Sequence, residues 1–134
     1  MALTKNCMII DTHIDTPYRI KKRPQDISRR IRDGNFDYAR AMQGGLNAAF
    51  MVVYVPAKYE EKGGARLFAN EMIDLIEGWT QKWPDKFILA KSPEDLRAQL
   101  DHGRMSIVIA WKTVHLSKVI LPILNSSTIA AFAT

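Results

Sequence analysis

Asp11, His13 and Asp15 alternate with Thr12 and Ile14 directly after the apolar run Met8-Ile9-Ile10. Along an extended backbone, residues two apart project to the same side. The three polar side chains can therefore converge on one spot just past the end of a strand. An imidazole and a carboxylate so spaced can share one divalent ion, since zinc takes nitrogen and oxygen ligands at ~2.0–2.2 Å. The same residues also suit a capped strand end with a surface histidine and a turn at Thr16-Pro17, and short motifs of this kind recur by chance. Spacing alone leaves both readings open.

The elements around this triplet follow from hydrophobic patterning. The run 8–10 predicts a strand buried on both faces, as in a parallel sheet. From Pro17 to Asn35 the periodicity is weak and predicts a loop with one helical turn. Asp37 to Gln43 predicts a short helix stopped by Gly44-Gly45. Leu46 to Val55 is almost unbroken apolar and predicts a second buried strand, closed by Pro56. Ala57 to Gly64 reads as a polar loop. Phe68, Met72, Leu75, Ile76, Trp79 and Trp83 then fall at helical spacing, with the tryptophans as core. Pro84 ends that helix. A short extended piece, Phe87 to Ala90, precedes Ser92-Pro93-Glu94-Asp95. There a capping serine, a proline at the first helical position and acids in the first turn open another helix. Leu96 and Leu100 give its buried face, His102 sits in its last turn, and Gly103 ends it. Met105 to Ile109 predicts a third buried strand. Strands alternating with helices imply an α/β fold with a parallel sheet, and such sheets carry function at the carboxyl ends of their strands.

The totals bound the rest. A chain of 134 residues makes one domain at most, and a hydrophobic fraction of 47% can fill a core. The net charge of +5 is concentrated in Arg19, Lys21, Lys22, Arg23, Arg29, Arg30 and Arg32, opposed only by Asp26. That segment supports an alternative reading as a small basic module binding nucleic acid or an acidic partner. No aromatic interleaving accompanies it, so a solvated loop and no nucleic-acid partner are expected. The lone Cys7 excludes an internal disulfide, and its apolar neighbours predict a buried, inert thiol. No apolar run approaches the ~20 residues that span a bilayer, and no signal peptide precedes the first strand. The cytoplasm is the default compartment, and the oligomeric state is open.

Taken in order, these pieces resemble the membrane (renal) dipeptidase family of metallopeptidases. The match lies in Asp-x-His-x-Asp-x-Pro from Asp11 to Pro17, in the stretch DYARAMQGGLNAAFM from Asp37 to Met51, and in Tyr54-Val55-Pro56. The helix with late aromatics, the capped helix and the third strand complete it. The resemblance implies a (β/α)8 barrel of the TIM type, with this chain supplying its incomplete N-terminal part, about three βα units. It implies two zinc ions that activate a water for attack on the peptide bond of a dipeptide substrate. It makes His13 and Asp15 ligands of the first zinc and Asp11 a supporting residue that accepts an imidazole hydrogen bond. Arg40 and Tyr54 occupy family-like positions, with packing as their expected role.

The resemblance also marks a departure. In the family the third strand is followed by a glycine, a hydrophobic residue and a metal-bridging glutamate. Here Ile109 is followed by Ala110-Trp111-Lys112, and Lys112 stands at the bridging-carboxylate position. An ammonium cannot ligate zinc. At most one partial zinc site remains, with no catalytic residue retained, so the chain alone is expected to be inactive. Residues 1–109 read as the dipeptidase part and 110–134 as a frameshifted, non-family tail. A family-like peptide GMENG, read one base late, can yield Ala110 to Val114. KFFYDRGIRY treated likewise can yield Asn125 to Thr134. The rival reading is an authentic segment with a strand at Val119 to Leu124 and a turn at Asn125, in which His115 has no assigned role. Unpaired strand edges and uncovered apolar faces predict an unstable or self-associating fragment.

Overall fold

The computed structural model describes residues 7–112, except residue 101 and the side chain of residue 60. Four strands are joined by five helices: β1 (Ile10–Ile14), α1 (Thr16–Lys22), α2 (Tyr38–Gln43), β2 (Ala48–Tyr54), α3 (Ala57–Lys62), α4 (Ala65–Lys82), β3 (Phe87–Leu89), α5 (Pro93–Gln99) and β4 (Met105–Lys112). The strands form one sheet in the order β1-β2-β4-β3, with every neighbouring pair parallel. The α/β alternation read from the sequence is therefore present. The short piece at Phe87 is a true strand, and it lies outside β4 and pairs with Met105–Ile107.

Odd and even residues of the central strands serve different faces. Ala49, Met51 and Val53 of β2 and Ile107 and Ile109 of β4 join Phe68, Met72, Ile76 and Trp79 of α4 in the main core. Ala48 and Val108 point the other way and pack with Ala90 and with Leu96 of α5. This burial on both faces is what the unbroken apolar runs require. In α4 the buried positions Phe68, Met72, Ile76 and Trp79 form one stripe, and Leu67 on the opposite side is 65% exposed. The consecutive glycines Gly63 and Gly64 have φ of 84° and 91°. That left-handed turn separates α3 from α4 and strains any residue with a Cβ. In α5 the Ser92 side chain accepts from the Asp95 N–H while the Asp95 carboxylate accepts from the Ser92 N–H, a reciprocal cap.

Several expectations are corrected. β1 is exposed along Ile10 to His13, and only Ile14 is buried. It is the edge strand, so its apolar run has no neighbour on the outer side among the described residues. Cys7 lies ahead of that strand and is exposed, not a core thiol. The segment after Asp15 is a full helix, α1, with Pro17 in its first turn and Thr16, Pro17 and Ile20 buried. Its basic residues Arg19, Lys21 and Lys22 lie in the last turn, where they favour the helix dipole. The expected polar loop at Ala57 contains the helix α3. β4 does not stop at Ile109 but pairs with β2 through Lys112. Among the described residues the exposed large hydrophobic side chains are Ile10, Leu67 and Leu100, so β2 and β4 present no bare apolar face. His115, the candidate strand Val119 to Leu124 and the turn at Asn125 lie outside the described residues.

Candidate functional site

The pairing of β1 with β2 breaks its register where the polar triplet lies. Asp11 sits opposite Ala49 and Ile14 opposite Met51, so three steps along β1 match two along β2. One extra residue is accommodated there, as in a β-bulge, and the simple alternation of side chains is lost. The Asp11 carboxylate accordingly accepts from the main-chain N–H of His13 at 3.0 Å. Asp11 thus supports the backbone under His13, in place of the imidazole contact that the sequence suggested. Ile14 is turned into the core, and Asp15 follows at the N-terminal boundary of α1 without a side-chain capping bond.

Beyond the bulge, His13 and Asp15 do meet. His13 Nε2 lies 3.3 Å from Asp15 Oδ2. Lys112, at the end of β4, brings its Nζ to 3.5 Å from Asp15 Oδ2 and 3.5 Å from His13 Nε2. Tyr54, paired with Lys112 across β2 and β4, places its ring 5.9 Å from the same ammonium. The Tyr54 ring also takes an edge contact from Tyr18 of α1, centroids 5.1 Å apart. The cluster therefore gathers the carboxyl ends of β1, β2 and β4, as parallel α/β sheets predict. Its three charged or polar members are each about half exposed, at 51%, 52% and 50%, so their mutual attraction is weakened by solvent.

A cleft of about 540 Å³ opens beside the cluster, walled by Asp11, His13, Asp15, Arg19, Asn35 and Phe36. In the sequence Arg19 stands out only as part of a basic segment. In the fold its guanidinium donates to Gln25 and passes beneath Gly34. A Cβ at Gly34 would come within 2.5 Å of that guanidinium, and the φ of 120° there suits glycine alone. The Asp33-Gly34-Asn35 turn was the one signal in the sequence for this close approach. Other charges of the segment are also engaged: Lys21 pairs with Glu71 of α4 at 2.6 Å and Arg29 with Asp26 at 2.6 Å.

Arg40 has a defined task. The buried Asp37 side chain accepts from the main-chain N–H groups of Arg40 and Ile31, and from Arg40 Nε at 2.7 Å. Arg40 also donates to the Gly34 carbonyl at 2.7 Å. This knot ties the cleft-forming loop to α2. Burial alone would raise the Asp37 carboxyl, but the hydrogen bonds from Arg40 and Ile31 and the guanidinium charge outweigh it and hold the group below its ordinary range.

Among the described residues, the side chains at the site do not fit a catalytic metal centre. The spacing of His13 Nε2 and Asp15 Oδ2 suits two corners of a zinc tetrahedron, but catalytic zinc normally takes three protein ligands. The third neighbour is the Lys112 ammonium, which has no lone pair to give. Among the described residues, no group of three His, Cys, Asp or Glu side chains could hold a metal ion.

The sheet and its helices form part of a (β/α)8 barrel, the fold of the M19 dipeptidases whose solved structures they match. The dipeptidase AC, a metallopeptidase of family M19, superimposes with a TM-score of 0.76 at 17% identity, over 93% of this chain and 41% of its own. The probable dipeptidase PvdM from Pseudomonas aeruginosa gives 0.71 at 16% identity, over 95% of this chain and 34% of its own. A metallopeptidase from Rhodobacter sphaeroides, liganded with a phosphinate mimic of the dipeptide L-Ala-D-Ala, gives 0.72 at 16%, over 91% and 43%. The chain thus spans between about a third and about two fifths of the length of these proteins. No curated protein sequence matches it. The family model for membrane dipeptidase, peptidase family M19, matches residues 1–125, and the chain belongs to that family of metallopeptidases.

Proposed function

We propose that the complete barrel to which this sequence corresponds is a zinc-dependent dipeptidase, and that the 134-residue chain alone does not hydrolyse dipeptides. The observation that carries the first half is the His13–Asp15 pair, nitrogen and oxygen donors 3.3 Å apart at the carboxyl ends of a parallel sheet. His13 and Asp15 would be two of the metal donors, and Asp11 would fix the backbone that presents them. Dipeptides are the substrate class because of the family and because one similar structure holds a dipeptide mimic.

The second half follows from what the three strand ends provide. Two donors and an ammonium cannot assemble the three-ligand site that metal-assisted hydrolysis uses. The test is an assay of the purified chain on a dipeptide with a D-residue at its carboxyl end, with zinc added. No turnover above the buffer rate is expected. Turnover that a chelator abolishes would overturn the proposal.

A further inference from the structure

We infer that in the 134-residue chain the Lys112 ammonium takes the place of a bound cation, closing the site to divalent metal while keeping Asp15 and His13 together. The inference rests on the reading of His13 and Asp15 as metal donors. Nζ of Lys112 is the same 3.5 Å from the imidazole nitrogen and from the carboxylate oxygen. Those two acceptors are themselves 3.3 Å apart. The ammonium therefore completes a near-equilateral triangle with the donor pair, where a third ligand would stand.

The sheet fixes the backbone from which this side chain reaches the pair. Lys112 is the last residue of β4 and pairs with Tyr54, the last residue of β2. The Tyr54 ring lies along the ammonium at 5.9 Å, a distance at which its face attracts a cation. An ion held ~2.0–2.2 Å from both donors would either press against the ammonium or face its charge from the other side of the pair. Neither arrangement gains a ligand. The ammonium supplies the positive charge that offsets Asp15, so the site needs no ion to hold its shape.

The test is titration of the purified full chain with cobalt(II), whose visible absorption reports ligand number and geometry, followed by displacement with zinc. The unaltered chain should give no saturable absorption, and its His13 ring signals should stay fixed in an NMR spectrum as zinc is added. Lys112→Glu replaces the cation with an oxygen donor and should bind cobalt tightly. The gain should exceed the ~100-fold that outer-sphere partners of a metal contribute, and His13→Ala in that background should remove it. Lys112→His, which supplies a neutral nitrogen, should also gain binding, and it decides the matter if the glutamate variant does not fold. Binding by the unaltered chain that His13→Ala abolishes would overturn the exclusion by Lys112 yet leave the donor pair standing. Absence of binding in both variants, each folded by circular dichroism, would overturn the inference and the donor pair together.

Discussion

Asp37 shows how one side chain can hold a loop, cap a helix and carry a pH response. Removing it as Asp37→Ala strips the cap from α2 and leaves the Arg40 guanidinium without its carboxylate. A cost of about 2–3 kcal/mol is expected, combining a lost cap with lost charge-assisted hydrogen bonds. Urea unfolding at neutral pH measures it. The sign with pH follows from the depressed carboxyl, which ordinarily titrates near 3.8. Its stabilisation is present above that value and is lost as pH falls through the lower, folded value. Asp37→Asn should therefore lie below the unaltered protein at pH 7 and approach it as the pH falls below 3.8. The sequence announced Asp37 only as the start of a short helix. Its partner Arg40 is visible at the i, i+3 spacing, but the Ile31 N–H and the Gly34 carbonyl come from the preceding loop. No local pattern encodes that meeting.

The helices divide by how much of their stability is written locally. α5 is legible because its cap residues are adjacent in sequence, and Ser92→Ala should cost about 1 kcal/mol. α4 is legible because its buried stripe is long. Ile76, fully buried, should cost about 2–5 kcal/mol as Ile76→Ala, with the spread set by how far the sheet and helix close the gap. Chemical denaturation of the two variants gives both values and should rank the core change above the cap. α1 was not legible as a helix. It has one turn of buried residues, Thr16, Pro17 and Ile20, and its docking depends on distant groups such as Glu71. β2 and β4 were plain from their apolar runs. β1 misled, because the same composition that marks a central strand also occurs in an edge strand whose neighbour is absent from the described residues.

For the whole molecule, the sequence showed the fold class and the ordered pieces of the family, and it pointed to His13 and Asp15, whose side chains lie 3.3 Å apart just past β1. It could not show the approach of Lys112, which lies 99 residues from His13 and depends on the β2–β4 register. The lysine also bears on the origin of the chain's last part. We propose that residues from Ala110 onward are read one base out of frame. The family match continues past Ile109 to residue 125, which counts against that proposal. The coding DNA around Ile109 and Ala110 decides the matter. A GMENG-like peptide in the neighbouring frame is expected, and its absence would end the proposal.

The irregular pairing between Asp11 and Ile14 has an effect on what lengths of chain the molecule tolerates. A strand with strict alternation absorbs a substitution more easily than a deletion, and here the surplus residue is what keeps His13 at the mouth while Ile14 faces inward. Loss of Thr12 would remove the bulge and straighten the strand, so that only the residue between Asp11 and Ile14 changes face. Ile14 would keep its place opposite Met51, while His13 would fall opposite Phe50 and face the outer helices in place of the strand ends. The site is thus encoded by a count of residues as much as by their identities.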